Sequence, residues 1–307
     1  MVILKLDNED KPMKYLFLFL LTTNLYAQFD VPIDLYQQFN GKYGYTIIGC
    51  TNNQFDNWQF DPTPPCQMLS ESSASLNIQP DQTIVAAYLY WSGIGDGSLA
   101  ESVVFNGNLL TPDVSYISDI NPPPASLFYF TKFKDVTDIV QLSGNNNYTL
   151  SSLNLNPIID LYCSNAIYFS GWSMIVIYED LTLPNSQLNI YNGFKYLGYD
   201  NINSISLSIT NLNIVETSNA KFSYIVWNGS PNLFFNESVL FNGNVLSNAL
   251  NPADNPFNGT SSFTESNTNW NQDIDTFDIS NFINIGDTQA TLTLNSFFIR
   301  FLQTIIT

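Results

Sequence analysis

The chain has 307 residues, 9 basic and 27 acidic side chains, no histidine and a formal net charge of −18. Such a balance argues against nucleic acid and anionic membrane surfaces, which need Lys and Arg to meet phosphate, and without histidine there is no Ser-His-Asp triad, His-assisted thiolate or His zinc ligand. With 45% hydrophobic residues the chain can bury a core, while asparagine, 39 residues against 36 charged ones, does much of the work of solvating its surface.

In chain order, residues 1–27 read as an export leader. "MKYLFLFLLTTNLYA" carries a basic residue at Lys14, an apolar core from Leu16 to Leu21 and a small residue, Ala27, at a signal-peptidase cut. That core is far shorter than the roughly 20 apolar residues of a membrane span, so no membrane insertion is expected. The acidic "MVILKLDNEDKP" ahead of it fits no leader and points to Met13 as the true start. The expected mature protein, Gln28 to Thr307, is secreted or displayed on the cell surface.

Trp58 follows in the turn-rich "QFDNWQFDPTPP", and then "TIVAAYLYW" (83–91) reads as a buried strand. "VVFNGNLL" places Asn106 and Gly107 between apolar runs, the type I′ hairpin signal. In "DVTDIVQLSGNNNYTLS", Asp135 is set to cap a short helical turn, and "GWSMIVIYED" (171–180) closes the series. "LNIYNGFKYL" offers a third hairpin at Asn192 and Gly193. A second series then runs through "AKFSYIVW" (220–227), "VLFNGNVL" with Asn242 and Gly243, "DISNFINIGDTQATLTL" from Asp278, and "LNSFFIRFLQ".

The two series are copies. Residues 88–110 and 224–246 align without a gap and share 11 of 23 positions, including Trp91/Trp227, Gly93/Gly229 and Glu101/Glu237. With no amphipathic helix of ordinary length after the leader, the expected fold is all-β: two tandem jelly-roll-like antiparallel β-sandwich domains related by internal duplication, 28–183 and 184–307. Trp91 and Trp227 are then expected at equivalent core positions, in sandwiches joined by a short linker near Leu183 and Pro184 that share only a modest interface.

Three cysteines in an exported chain allow one disulfide and one spare thiol. Cys66 precedes the first strong strand, and Cys163 lies in "IIDLYCSNAIYFSG", which has no counterpart in the second copy. An insertion pinned to the entry strand accounts for both, so Cys66–Cys163 is the expected bridge and Cys50 the odd residue.

Few residues offer chemistry. Asp273, Asp275 and Asp278 in "NQDIDTFDIS" are candidate calcium ligands, since hard cations favour oxygen clusters; the ordinary reading is a solvated run in which Asp278 caps a turn. No other cofactor is indicated. Trp58 and Trp270, the latter in "ESNTNWNQDID", could stack on a sugar face or plug a sandwich end. Glu101 and Glu237 fall one per copy, which suits solvated strand edges better than the paired acids of a glycosidase.

The order apolar strand, "FNG" hairpin, Asp-capped turn, "GN" turn and closing strand resembles the galactose-binding-like jelly roll of carbohydrate-active and adhesive extracellular proteins. More specifically, "IVAAYLYWSG", "FKDVTDIVQLSGNNNYTLS", "LYC" and "GWSMIVIYEDLTLPNSQLNIYNGF" resemble an N-terminal region of large Bacteroidetes surface proteins over roughly residues 45–300. Such proteins are typically adhesin-like and carry a C-terminal sorting domain for type IX secretion. No such domain follows "FFIRFLQTIIT", so the resemblance implies a stand-alone or truncated member, or a reading frame that ends early. Together these readings predict a non-enzymatic exported surface protein, an adhesion or scaffold module whose partner is an extracellular protein or glycan. The alternative is a carbohydrate-binding module.

Overall fold

The computed structural model describes residues 28–29, 31–59, 63–120, 127–198, 203–233 and 236–307; the leader over 1–27 lies outside the described residues. The first strands are β1 (Gln28–Phe29), β2 (Val31–Gly41), β3 (Tyr43–Thr51), β4 (Ser72–Leu76), β5 (Thr83–Ile94), β6 (Val103–Phe105), β7 (Asn108–Leu110), β8 (Val114–Ile120), β9 (Leu127–Asp135), β10 (Asn146–Ser151) and β11 (Ser170–Glu179). The remainder are β12 (Ser186–Leu197), β13 (Ser204–Thr210), β14 (Lys221–Trp227), β15 (Ser238–Phe241), β16 (Asn244–Val245), β17 (Gln272–Asp278), β18 (Gln289–Asn295) and β19 (Arg300–Ile306).

They form four sheets, in the orders β1-β8-β9-β5-β11-β3, β4-β10-β6-β7, β17-β14-β19-β12-β2 and β13-β18-β15-β16. All pairings are antiparallel except that of the two-residue β1 with β8. The duplication is visible in this topology: β9-β5-β11-β3 has the same chain order as β17-β14-β19-β12, and β4-β10-β6-β7 the same as β13-β18-β15-β16. Each sandwich thus repeats a core of eight strands, to which β1 and β8 add in the first and β2 in the second.

The two larger sheets also pack on each other, giving four layers. Trp227 stacks on Phe169 at 5.4 Å and Phe301 meets Tyr129 at 4.3 Å. Between these sheets Gln303 Oε1 accepts hydrogen bonds from Ser92 Oγ and Trp227 Nε1, while Tyr90 donates to Asn192 Oδ1. This layering explains the near-continuous apolar runs. β5, β11 and β14 are covered on both faces and need apolar or paired residues at every position.

Four expectations change. The interface is broad, and one core cluster runs from Val103 and Phe105 in the outer sheet of the first sandwich through to Phe194, Trp227 and Phe301 in the second. Strand β2, inside the expected first domain, is the edge strand of the second sandwich, with Gly41 opposite Ser186 and Val31 opposite Phe194. Trp91 and Trp227 are not equivalent. Trp91 shares a sheet face with Trp172, which meets Phe105 inside the first sandwich, whereas Trp227 faces the neighbouring sandwich. Finally, Asn192-Gly193 is no hairpin: β12 runs straight through it with a bulge. A Cβ on Gly193 would come within 2.2 Å of Pro32 O, so the glycine serves a close approach of β2.

The other two Asn-Gly pairs do turn hairpins, and Asp135 and Asp278 accept the backbone N–H of Thr137 and Ser280, as expected. Cys66 and Cys163 form the disulfide, with Cα atoms 5.8 Å apart, and Cys50 is free. A disulfide belongs to an oxidising compartment. No helix among the described residues is long and apolar enough to cross a membrane.

Candidate functional site

The sequence-predicted residues distribute over three places. Trp58 and Trp270 are half-buried and flank a polar seam between the sandwiches. There Asp56 Oδ2 accepts from Ser230 Oγ at 2.8 Å and Asn232 Nδ2 at 2.7 Å. Asn271 Nδ2 donates to Asn57 Oδ1 at 2.8 Å, and Asn57 Nδ2 to Asn228 Oδ1 at 2.9 Å. Satisfied buried networks of this kind fix the relative placement of the loops that carry them. Trp58 leans on Phe298, ring centres 6.2 Å apart, and the Trp270 carbonyl accepts from Thr51 Oγ1. Trp58 thus has an aromatic neighbour, as a packing residue at a sandwich end would, while Trp270 is tied into the seam through its backbone.

The three aspartates are not brought together. Asp273 and Asp275 lie on one face of β17 and are buried, while Asp278, three residues on and of opposite parity, is exposed at the strand end and bound to Ser280. Backbone donors stand where a cation would be needed: Asp273 Oδ1 accepts N–H groups from Asn258, Gly259 and Thr260, and Asp275 Oδ1 accepts from Ser262 N and Oγ. Burial pushes both carboxyls up, Asp275 to about 6 and Asp273 well above its ordinary value, helped there by the Asp275 charge. This donor set does not fit a calcium site built on all three residues, and among the described residues no group of three or more His, Cys, Asp or Glu side chains is placed to hold a metal.

Glu101 and Glu237 each pair with a buried cation of their own sandwich. Lys132 Nζ lies 2.7 Å from Glu101, whose side chain stays 69% exposed, whereas Arg300 Nη2 lies 2.8 Å from a Glu237 that is fully enclosed. The solvated-edge reading therefore holds for Glu101 and fails for Glu237, which sits in an end of the second sandwich where Arg300 supplies a counter-charge. The two acids are not a pair flanking one bond.

A further site was missed from sequence. At one end of the outer sheet of the second sandwich, an open cleft of about 570 Å³ is lined by Asn203, Asn236, Ser238, Val245, Ala253, Asp254, Asn295 and Phe297, with Glu237 behind. Register builds it, since Asn295 on β18 pairs with Ser204 on one side and Ser238 on the other. Asn295 Nδ2 donates to Ser238 Oγ at 3.0 Å. The side chains of Asn203, Asn236 and Asp254 are not engaged in hydrogen bonds among the described residues, and Phe297 is 41% exposed. In sequence Phe297 hides in "LNSFFIRFLQ", which reads as a single strand. In fact β18 ends at Asn295 and β19 begins at Arg300, so Phe297 lies in the turn between them and is partly exposed.

No family model matches the chain and no curated protein matches it. Among solved structures it is similar to the crystal structure of a BuGH86 variant in complex with neoagarooctaose, at 11% identity and a TM-score of 0.22, over 76% of this chain and 35% of that one. At that score the likeness carries neither fold nor function to this chain.

Proposed function

We propose that the protein is a non-enzymatic binding module of the cell exterior, an adhesion protein that engages a neutral glycan at the amide-lined cleft of its second sandwich. The observation that supports this reading is the cleft lining: uncommitted amides at Asn203 and Asn236 and the Asp254 carboxylate, beside the exposed Phe297 ring. Amides match sugar hydroxyls as both donors and acceptors, and a ring face covers the apolar side of a pyranose. Asp254 and the overall charge of −18 disfavour acidic polysaccharides. The separate placement of Glu101 and Glu237, each with its own cation, supports the non-enzymatic half.

A glycan array followed by calorimetry on the mature chain tests the reading. Phe297→Ala should weaken binding by about tenfold, the scale of one aromatic contact. Trp58→Ala should act more weakly, through Phe298. Retention of no neutral glycan, or full retention by Phe297→Ala, would leave protein–protein adhesion as the function.

A further inference from the structure

Glu237 stands between two cleft residues, Asn236 and Ser238, yet its side chain is sealed from solvent. Its Oε1 accepts a hydrogen bond from Ser296 Oγ at 2.7 Å and lies 2.8 Å from Arg300 Nη2. Ser296 is the residue between Asn295 and Phe297, both in the cleft. Arg300 Nη1 donates to the carbonyls of Asn228 and Ile299 at 2.6 and 3.0 Å. One carboxyl group therefore ties the 236–238 wall to the 295–300 wall.

The Ser296 hydroxyl has a single proton and two acceptors in reach, Glu237 Oε1 at 2.7 Å and the Phe298 carbonyl at 3.0 Å. An ionised carboxylate is much the stronger acceptor. We propose that Glu237 is a proton-operated latch of the cleft: ionised, it holds the Ser296 hydroxyl and Arg300 and sets the turn that presents Phe297; protonated, it yields the hydroxyl to Phe298 and the wall relaxes. The effect on ligand affinity rests on the cleft reading above, whereas the latch itself does not.

Its surroundings place the transition near neutrality. Burial pushes the Glu237 carboxyl up to about 7, against the opposing pull of Arg300 and the hydrogen bonds from Ser296 and Arg300. The other charged or titratable groups near it are Asp254 across the cleft, Tyr224 on β14, and Asp273 and Asp275 on β17, which share Tyr224 as a neighbour. Asp273 is also drawn by Arg300. The sequence contains no histidine to confuse a transition near neutrality.

Amide NMR of the labelled mature chain between pH 5 and 9, with no ligand added, reads the latch directly. The amides of 236–238 and 296–299 should shift together with one inflection between about pH 6 and 8. The inflection should persist in Asp275→Asn and vanish in Glu237→Gln. No inflection in the native chain, or one that survives Glu237→Gln, overturns the proposal. If Glu237→Gln does not fold, the Glu237 carboxyl carbon can be titrated in the native chain, and a midpoint below 5 has the same force. For any glycan the cleft retains, affinity should fall about tenfold from pH 8 to pH 5.5. A flat profile beside an intact NMR inflection overturns the link to binding, while absence of any glycan binding removes the cleft reading and leaves the latch standing.

Discussion

The hairpins of the two sandwiches share the same bonds, whereas the tryptophan strands before them face opposite ways. Asn106 and Asn242 take φ of 46° and 48°, and each following glycine 78°. Each asparagine exchanges two hydrogen bonds with a threonine of the neighbouring strand, Thr149 or Thr291. On the strands, Asp135 pairs with Tyr88 and Asp278 with Lys221. Trp91 lies three residues beyond Tyr88, but Trp227 lies six beyond Lys221. An odd difference sends the second tryptophan to the other face. Turn chemistry is local and survives duplication; a slip in register changes every partner of a strand without changing its letters. The slip gives the second copy an aromatic face toward its neighbour, and the two sandwiches join through it.

The largest expected effect follows from that contrast. Trp91→Ala and Trp227→Ala each remove a fully buried indole, and each should cost roughly 3–5 kcal/mol. Because the core is continuous, both should lower one shared unfolding transition in denaturant rather than melt one sandwich. They should differ in hydrogen exchange. Trp91→Ala should loosen β6 and β10 of the outer sheet, and Trp227→Ala the seam around Phe169 and Gln303. Two resolved transitions in either variant would show the sandwiches to be independent.

How much of this was legible in sequence depends on the range of the interaction. The strands, the two hairpins and the aspartate turns rest on residues within a few positions of each other and could be read directly. The Cys66–Cys163 bridge was legible because the second copy lacks the segment around Cys163. Strand β2 was misplaced because nothing in "VPIDLYQQFNG" says that its partner lies beyond residue 180. Gly193 was misread because a bulge under Pro32 uses the same two letters as a hairpin. The cleft was missed because it draws on five separated segments, and Glu237 was misjudged because its counter-charge, Arg300, is 63 residues away.

A second difference between the copies concerns protons. Glu101 is mostly exposed, but Glu237, Asp273 and Asp275 in the second sandwich are buried carboxyls pushed above their ordinary values of 4.5 and 3.8. The folded chain then binds more protons than the unfolded chain, so their contribution is fully present below about pH 4 and is lost as pH rises through about 6 to 7. Asp96, Asp180 and Asp278, lowered chiefly by hydrogen bonds from Ser98, Gln82 and Ser280, work in the opposite sense. Their contribution is present above about pH 4 and is lost in stronger acid. Calorimetry should therefore find maximal stability near pH 4–6 and a loss on the order of 1–3 kcal/mol by pH 8. Asp275→Asn should flatten the alkaline side, and a stability that rises from pH 5 to 8 would contradict the placement of these acids.

The smallest effect tests the shared turn. Replacing Asn106 or Asn242 by Ala removes a side-chain oxygen that accepts the N–H of Thr149 or Thr291, and puts at positive φ a residue less suited to it. Each change should cost about 1 kcal/mol. The hairpins lie in different outer sheets, so the double variant should lose close to the sum. They are not identical, however, because Asn242 Nδ2 also donates to the Phe282 carbonyl at 2.8 Å. Asn242→Ala should therefore be the more costly by about 0.5–1 kcal/mol, the worth of one neutral hydrogen bond. Urea unfolding of the two single variants and the double variant resolves a difference of that size if the m-values agree. Equal losses would mean that the Phe282 bond is exchanged for water without cost; a larger loss at Asn106 would mean that the hairpin bonds do not set the stability of their sheets.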